Sequence, residues 1–242
     1  MNKQSRYLIY FTLLLIFSGC FNNENKVDYF QLANQKYDAG YFNEAIELYS
    51  KVIEDNPDFQ TAYFYRASSK YSIKDFFGAM EDYTSVIEID SNNSLAFNSR
   101  GISKTQLGMY NEAILDYDMA LILNSFDSEV FNNRGYTYYL AGDYKKALDD
   151  YNKAVTLTPE VLGYRFNRAM AKSKLGEYTD AIEDFTKVIE ANDSNYFNYI
   201  ERGNVYFLMQ KFYKACADWK KAEQLGSAEA VKLLNEKCID NY

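Results

Sequence analysis

Six alanines stand 34 residues apart along this chain, and each lies within a short pattern that recurs with it. An aromatic residue follows every alanine by four positions, and another precedes it by three. The alanines are Ala45, Ala79, Ala113, Ala147, Ala181 and Ala215. A self-similar period of this length indicates a solenoid, because each repeat buries its apolar face against its neighbours. The repeat therefore predicts one continuous stack of similar units.

The period divides most of the chain into six units, and we number the positions within each unit as places 1 to 34. The units cover residues 26–59, 60–93, 94–127, 128–161, 162–195 and 196–229. Each unit holds two helical patterns with a break at place 15, which is glycine in four units and Lys74 or Gln210 in the other two. Glycine suits the left-handed backbone at a helix C-terminus. Each unit is therefore predicted to be a helical hairpin.

The pattern resembles the tetratricopeptide repeat. The matching features are a small residue at place 8, alanine at place 20, an aromatic residue at place 24, a small or β-branched residue at place 27, and proline at place 32 in two units. The resemblance covers more than four-fifths of the chain. It implies an all-α fold, a right-handed α-solenoid of six helix pairs. Residues 227–242 are predicted to form a capping helix and tail, since a solenoid must cover its terminal face.

Places 7 and 23 change together from unit to unit. Five units combine arginine at place 7 with aspartate at place 23, whereas the first unit has Leu32 and Leu48. We expect the two places to meet across the hairpin as an ion pair, with a ligand-binding row of arginines as the alternative. The pairs are Arg66–Asp82, Arg100–Asp116, Arg134–Asp150, Arg168–Asp184 and Arg202–Asp218.

The N-terminal twenty residues have the character of a targeting segment. Lys3 and Arg6 precede an apolar run over residues 7–17 that is about half the length needed to cross a bilayer. The ending Phe-Ser-Gly-Cys resembles a bacterial lipobox, which implies a signal peptide at residues 1–19 and a lipid on Cys20. The alternative is a secreted protein in which this cysteine stands by chance. Residues 20–25 then form a polar tether. By resemblance to lipoprotein sorting, the absence of aspartate after Cys20 points to the outer membrane of a bacterial cell envelope, on its periplasmic or surface side.

The other two cysteines lie near the C-terminus. Cys216 and Cys238 lie at nearly equal distances from the turn at Gly226 and Ser227. In an antiparallel hairpin they would reach about the same height, where an oxidising compartment would allow a disulfide. The alternative is two small apolar residues packed in the cap interface.

Composition excludes several classes of function. The net charge is −8, and removal of residues 1–19 makes it −10, so no basic surface for nucleic acid is expected. The chain has no histidine, and its three cysteines lack metal-binding spacing, so we predict no metal, no cofactor and no catalytic residues. An enzyme is the least favoured class.

The resemblance also implies where a partner would bind. In tetratricopeptide solenoids the first helix of each unit lines a concave groove, which here is aromatic and rich in amides. Side-chain amides can hydrogen-bond the backbone of an extended peptide, while tyrosines offer rigid contact area. The candidate groove residues are Phe64, Asn98, Asn132, Tyr136, Tyr139 and Phe166.

We therefore expect a non-catalytic, lipid-anchored scaffold that recruits a protein or peptide in the cell envelope. One alternative is assembly through the convex face or the helix ends. Another is a carrier or uptake component that binds a small ligand or glycan in the aromatic groove.

Overall fold

A computed structural model describes residues 28–238, and within this range the chain forms thirteen helices and no strands. We number them in chain order. They are α1 (Tyr29–Asp38), α2 (Phe42–Asp55), α3 (Gln60–Ser72), α4 (Phe76–Ile89), α5 (Ser94–Gln106), α6 (Tyr110–Leu123), α7 (Ser128–Leu140), α8 (Tyr144–Leu157), α9 (Leu162–Leu175), α10 (Tyr178–Ala191), α11 (Tyr196–Leu208), α12 (Phe212–Gln224) and α13 (Ala228–Lys237).

Local chemistry explains where many helices begin and end. Asp28, Asn93 and Asp127 are N-caps whose side chains accept hydrogen bonds from backbone amides of the first turn. At place 15 the backbone is left-handed in every unit, including Lys74 (φ 66°) and Gln210 (φ 57°). The break between the two helices is therefore kept even where glycine is missing.

The repeated alanines and aromatics form the interior of the solenoid. The six alanines at place 20 have no exposed surface, and the aromatics at place 24 are at most 4% exposed. A Cβ atom added at Gly203 would lie 2.6 Å from Nε1 of Trp219, so the largest aromatic requires a glycine at place 8. The motif that recurs in the sequence is thus the motif that packs each hairpin.

Successive units stack side by side with a consistent orientation. In four of the five junctions the first helices of neighbouring units contact each other directly, as in α5 with α7 and α7 with α9. The second helices instead pack against the first helices on either side. The first helices therefore line the inner surface, and α13 packs on α12 at the end of the stack. The prediction of an all-α solenoid of helix pairs with a final capping helix is confirmed.

Candidate functional site

The five arginines at place 7, which we call the arginine row, contact the aspartates at place 23. In each unit Nε donates to Oδ2 and Nη2 donates to Oδ1 of the same carboxylate, over 2.6–2.9 Å. This is the bidentate geometry in which arginine and carboxylate match best. The aspartates are buried, with at most 7% of each residue exposed.

The third nitrogen of each guanidinium contacts the preceding unit. Nη1 donates to the side chain at place 25, for example from Arg66 to Ser50 over 3.0 Å and from Arg202 to Thr186 over 3.0 Å. Arg134 makes this contact with a carboxylate, that of Asp118. Each arginine therefore joins two second helices. The other two acceptors are Thr84 for Arg100 and Asn152 for Arg168.

Four of the five arginine–aspartate pairs also contact a third charged side chain. Place 11 is lysine in three of these units, and its Nζ lies 2.7–2.8 Å from the same aspartate, as Lys172 does with Asp184. Burial raises the pKa of Asp184, but hydrogen bonds from Arg168 and Lys172 outweigh it and hold the pKa below its usual value. In unit four, where place 11 is tyrosine, Arg134 faces two carboxylates. The geometry assigns the arginine row a structural role, because all five guanidinium groups are occupied by protein acceptors.

Two of the predicted groove amides hydrogen-bond to the next unit. Asn133 donates from Nδ2 to Oδ1 of Asn98 over 3.2 Å, and Asn167 donates in the same way to Asn132 over 2.9 Å. Asn98 is only 4% exposed, so it lies deeper than the sequence predicts, because the neighbouring helix covers it. Asn132 is half-buried.

A pocket of about 220 Å³ opens on the inner surface between three consecutive first helices, α3, α5 and α7. Tyr136 borders it and is 43% exposed. The charged side chains of the arginine row are absent from its lining. The lining residues are Tyr71, Ile102, Thr105, Gln106, Tyr117, Asn133 and Tyr136.

Buried hydroxyl groups support the wall of this pocket. Thr105 and Thr137 share a hydrogen bond of 2.8 Å between α5 and α7, and Thr105 also lies 3.2 Å from the hydroxyl of Tyr117. Burial raises the pKa of Tyr117 to about 12, although its hydrogen bonds with the two threonines oppose the rise. The pocket is therefore a neutral surface held by a fixed network.

The remaining predicted groove residues are partly engaged in packing. Phe64 lies edge-on to Tyr83, with ring centroids 5.3 Å apart, and Tyr139 packs on Tyr144 at 5.2 Å. Phe166 packs on Phe185 at 5.4 Å and also borders a pocket of about 410 Å³ between units five and six. These three aromatics thus form part of the hairpin interior as well as the groove wall.

One groove charge that sequence reasoning missed is Glu201 on α11. Burial raises its pKa, a hydrogen bond with Asn204 opposes the rise, and Lys174 lies near enough to lower it as well. Burial raises the pKa of Tyr139, and the charge of Glu201 adds to the rise after that of Tyr144.

At the C-terminal end a disulfide joins Cys216 and Cys238, with Cα atoms 6.0 Å apart. The bond links α12 to the end of α13, and Ala230 of α13 is fully buried in the same cluster as Trp219. Lys237 lies over the Phe207 ring at 4.5 Å. The last unit is thus covered by a helix that is also covalently tied to it.

The remaining predictions concern the N-terminal segment, metal binding and the membrane. Cys20, the signal peptide and the tether lie outside the described residues. Between residues 28 and 238 no cluster of three or more acidic or cysteine side chains could hold a metal ion. In the same range no helix has both the length and the apolar character needed to span a bilayer.

Family models agree with the geometry of the hairpins. Models described as tetratricopeptide repeat match residues 30–94, 128–160 and 162–195. The chain is built from tetratricopeptide repeats. The matched ranges fall in units one, two, four and five, and each of these units has either the arginine–aspartate pair or the leucine pair at places 7 and 23.

Solved tetratricopeptide structures share this fold. PilF from Pseudomonas aeruginosa is 21% identical with a TM-score of 0.72, over 86% of this chain and 96% of that one. A tetratricopeptide repeat protein from Parabacteroides merdae is 21% identical with a TM-score of 0.67, over 92% and 88%. YrrB, described as a TPR protein with an unusual peptide-binding site, is 23% identical with a TM-score of 0.64, over 78% and 97%. No curated protein matches the sequence.

Sequence reasoning found the residues at places 7 and 23 but missed their partners between tetratricopeptide units. Place 25 is a polar residue in units one to five, which was the available signal for the bridge to the next arginine. Place 6 is asparagine in units four and five, as Asn133 and Asn167. These residues were the available signal for the hydrogen bonds to Asn98 and Asn132 of the preceding units. Both signals become clear only when the units are aligned and stacked.

Proposed function

We propose that this chain is a non-catalytic protein-binding scaffold whose inner surface recruits an extended protein segment. The observation that carries the proposal is the neutral pocket between α3, α5 and α7, with the exposed ring of Tyr136 at its edge. Tyrosine and side-chain amides are suited to a peptide, because they combine rigid apolar area with donors and acceptors for its backbone. The fold is typical of proteins that bind other proteins, and YrrB, which shares it, is described as having a peptide-binding site.

We also propose that a lipid on Cys20 anchors the scaffold to a bacterial membrane, with the outer membrane as the favoured location. The basic start, the short apolar run and the Phe-Ser-Gly-Cys ending support this proposal. An anchor would confine the scaffold to one surface and raise its effective concentration for partners on the same membrane. An alkyne-labelled fatty acid should mark the wild-type chain and leave Cys20→Ser unlabelled; equal labelling of both would contradict the anchor.

A photo-crosslinking experiment tests the binding proposal directly. A photoreactive phenylalanine analogue replaces Tyr136 in cells, and the crosslinked protein is identified by mass spectrometry. Tyr41 is the matched control, because it is more exposed (58% against 43%) but lies outside the pocket. We expect a crosslinked protein at position 136 that is absent at position 41. The same crosslinked products at both positions would show that the groove is not the binding site.

The small-ligand alternative has a separate signature. If position 136 gives no protein crosslink, and glycans raise the melting temperature of the wild type but not of Tyr136→Ala, the carrier function replaces the scaffold.

A further inference from the structure

The outer face of unit three differs from that of every other unit. Leu115, Met119, Ile122 and Phe126 occupy places 22, 26, 29 and 33, and we call them the outer stripe. They are spaced at i, i+4, i+7 and i+11, which puts them along one side of α6 and the loop that follows it. Three of them are among the most exposed apolar residues described: Leu115 is 64%, Ile122 73% and Phe126 79% exposed.

The other five units show what these places normally hold. Place 22 is glutamate or aspartate in four of them, and place 26 is lysine in four. Place 29 is glutamate, threonine or glutamine. The repeat therefore provides its own comparison, since in the other units these three places are polar or charged throughout, with Ala217 as the single exception.

The side of α6 opposite the stripe is already buried. Ala113, Tyr117 and Ala120 face the interior of the solenoid and have at most 1% of their surface exposed. A helix that is apolar on both sides is usually buried on both sides. Here the outer side has no covering element among residues 28–238, so any element that covers it comes from outside this range.

The stripe continues into a concave apolar surface on the neighbouring unit. Phe126 borders a pocket of about 340 Å³ together with Phe131 and Leu157, next to α8. The stripe exposes roughly 400–500 Å² of side chain, as large as the main apolar patch of a typical monomer. Two such faces in contact would bury about 800–1,000 Å², which is near the lower limit for a specific interface.

The charges on either side of the stripe favour a second copy of the chain. The adjacent α4 presents Glu81 and Glu88 on its outer side, whereas α8 presents Lys145 and Lys153 around Asp149, which leaves that side with a net positive charge. Bridging contacts of the arginine row hold α4, α6 and α8 side by side. A two-fold axis along α6 would place the acidic side of each copy over the basic side of the other.

A membrane surface fits these charges less well. Helices that lie on membranes combine an apolar face with flanking lysine and arginine, because the lipid surface is anionic. Here Glu81 and Glu88 flank one side, and Asp118 lies beside the stripe on α6 itself.

We infer that the outer stripe is a self-association surface, through which two copies pair about a two-fold axis near Ile122. This inference goes beyond the proposed function, because it concerns the face opposite the groove. Pairing would join two scaffolds back to back and leave both inner surfaces open to partners.

Sedimentation of the full chain in density-matched detergent tests the inference. Leu115→Glu/Ile122→Glu gives unit three the residues that units two and five carry at places 22 and 29, so the hairpin should still fold, as melting will show. The matched control is Ala217→Glu/Gln224→Glu, which introduces glutamate at the same exposed places of unit six. We expect a dimer for the wild type and the control, and at least tenfold weaker association for the stripe variant.

Cysteine crosslinking in cells tests whether the outer stripe is the surface through which the two copies contact each other. Ile122→Cys should give a disulfide-linked dimer on mild oxidation, and Gln224→Cys should not. A monomeric wild type, or equal dimerisation of the stripe variant, would overturn the inference. So would a crosslink from Ile122→Cys to a different protein, or stripe-dependent binding of the monomer to vesicles of phosphatidylethanolamine and phosphatidylglycerol.

Discussion

Arg202 and Asp218 are joined by two parallel hydrogen bonds, each 2.8 Å long, across the hairpin of unit six. The carboxylate is buried, and the hydrogen bonds with Asp218 raise the pKa of Arg202, against the effect of burial. Unit six has Tyr206 at place 11 instead of lysine, so this pair is simpler than those in units two, three and five. It offers the clearest measurement of what the arginine row contributes.

We expect Arg202→Leu to lower the free energy of unfolding by about 3–5 kcal/mol, because it leaves a buried carboxylate without its cation. The double variant Arg202→Leu/Asp218→Leu should be much less destabilised, since unit one naturally has leucine at both places. Urea unfolding at pH 7 compares these proteins with Asp218→Leu and the wild type. Strictly additive effects of the two single substitutions would show that the residues do not interact.

Acid should weaken the arginine row. Because the pKa of Asp184 is lower in the folded than in the unfolded chain, its stabilising effect is complete above the unfolded pKa of about 3.9. That effect is lost as the pH falls through the lower, folded pKa.

We therefore expect Asp184→Asn to be less stable than the wild type at pH 7 and to lose less stability on acidification to pH 3. Urea unfolding across this pH range makes the comparison, with the exposed Asp58→Asn as control. Parallel pH profiles for wild type and Asp184→Asn would disprove the role of this carboxylate.

The left-handed residues between helices should tolerate glycine and gain from it. This backbone conformation costs a non-glycine residue about 1–2 kcal/mol, partly offset by the greater freedom of unfolded glycine. Lys74→Gly and Gln210→Gly should each raise the free energy of unfolding by about 0.5–1 kcal/mol, measured by urea titration.

Gly142→Lys is the reverse substitution. Gly142 has a φ of 85°, and a Cβ atom added there would meet no atom within 4 Å. A loss of stability would therefore come from backbone strain alone. An unchanged stability in this variant would contradict the argument.

The disulfide should hold the capping helix on the last unit. Its ring closes over a separation of 22 residues, for which loop closure is worth about 3 kcal/mol. We expect Cys216→Ala/Cys238→Ala to melt at a lower temperature and to be cut within α13 by protease before the rest of the chain. Wild type treated with reductant should show the same lower melting temperature and the same cleavage. A double variant as resistant to protease as the oxidised wild type would show that packing alone holds α13.

Much of the candidate site could be predicted from places within one unit. Arg66 and Asp82 are sixteen residues apart in one hairpin, and the joint replacement of such a pair by leucine in unit one predicts the contact from the sequence alone. The bridge from Arg66 to Ser50 and the burial of Asn98 were not predicted, because both depend on the neighbouring unit. The angle at which units stack decides which side chains meet across a junction.

The 34-residue period alone determined the number of units, the two helices of each and the alanine and aromatic interior, because those contacts recur within every hairpin. The tertiary structure decided which groove residues stay open. Asn98 and Tyr136 are both on first helices, yet one is covered by α7 and the other is exposed at a pocket. Exposure depends on the curvature of the stack and on the neighbouring helix, and neither is encoded in the spacing of a single repeat.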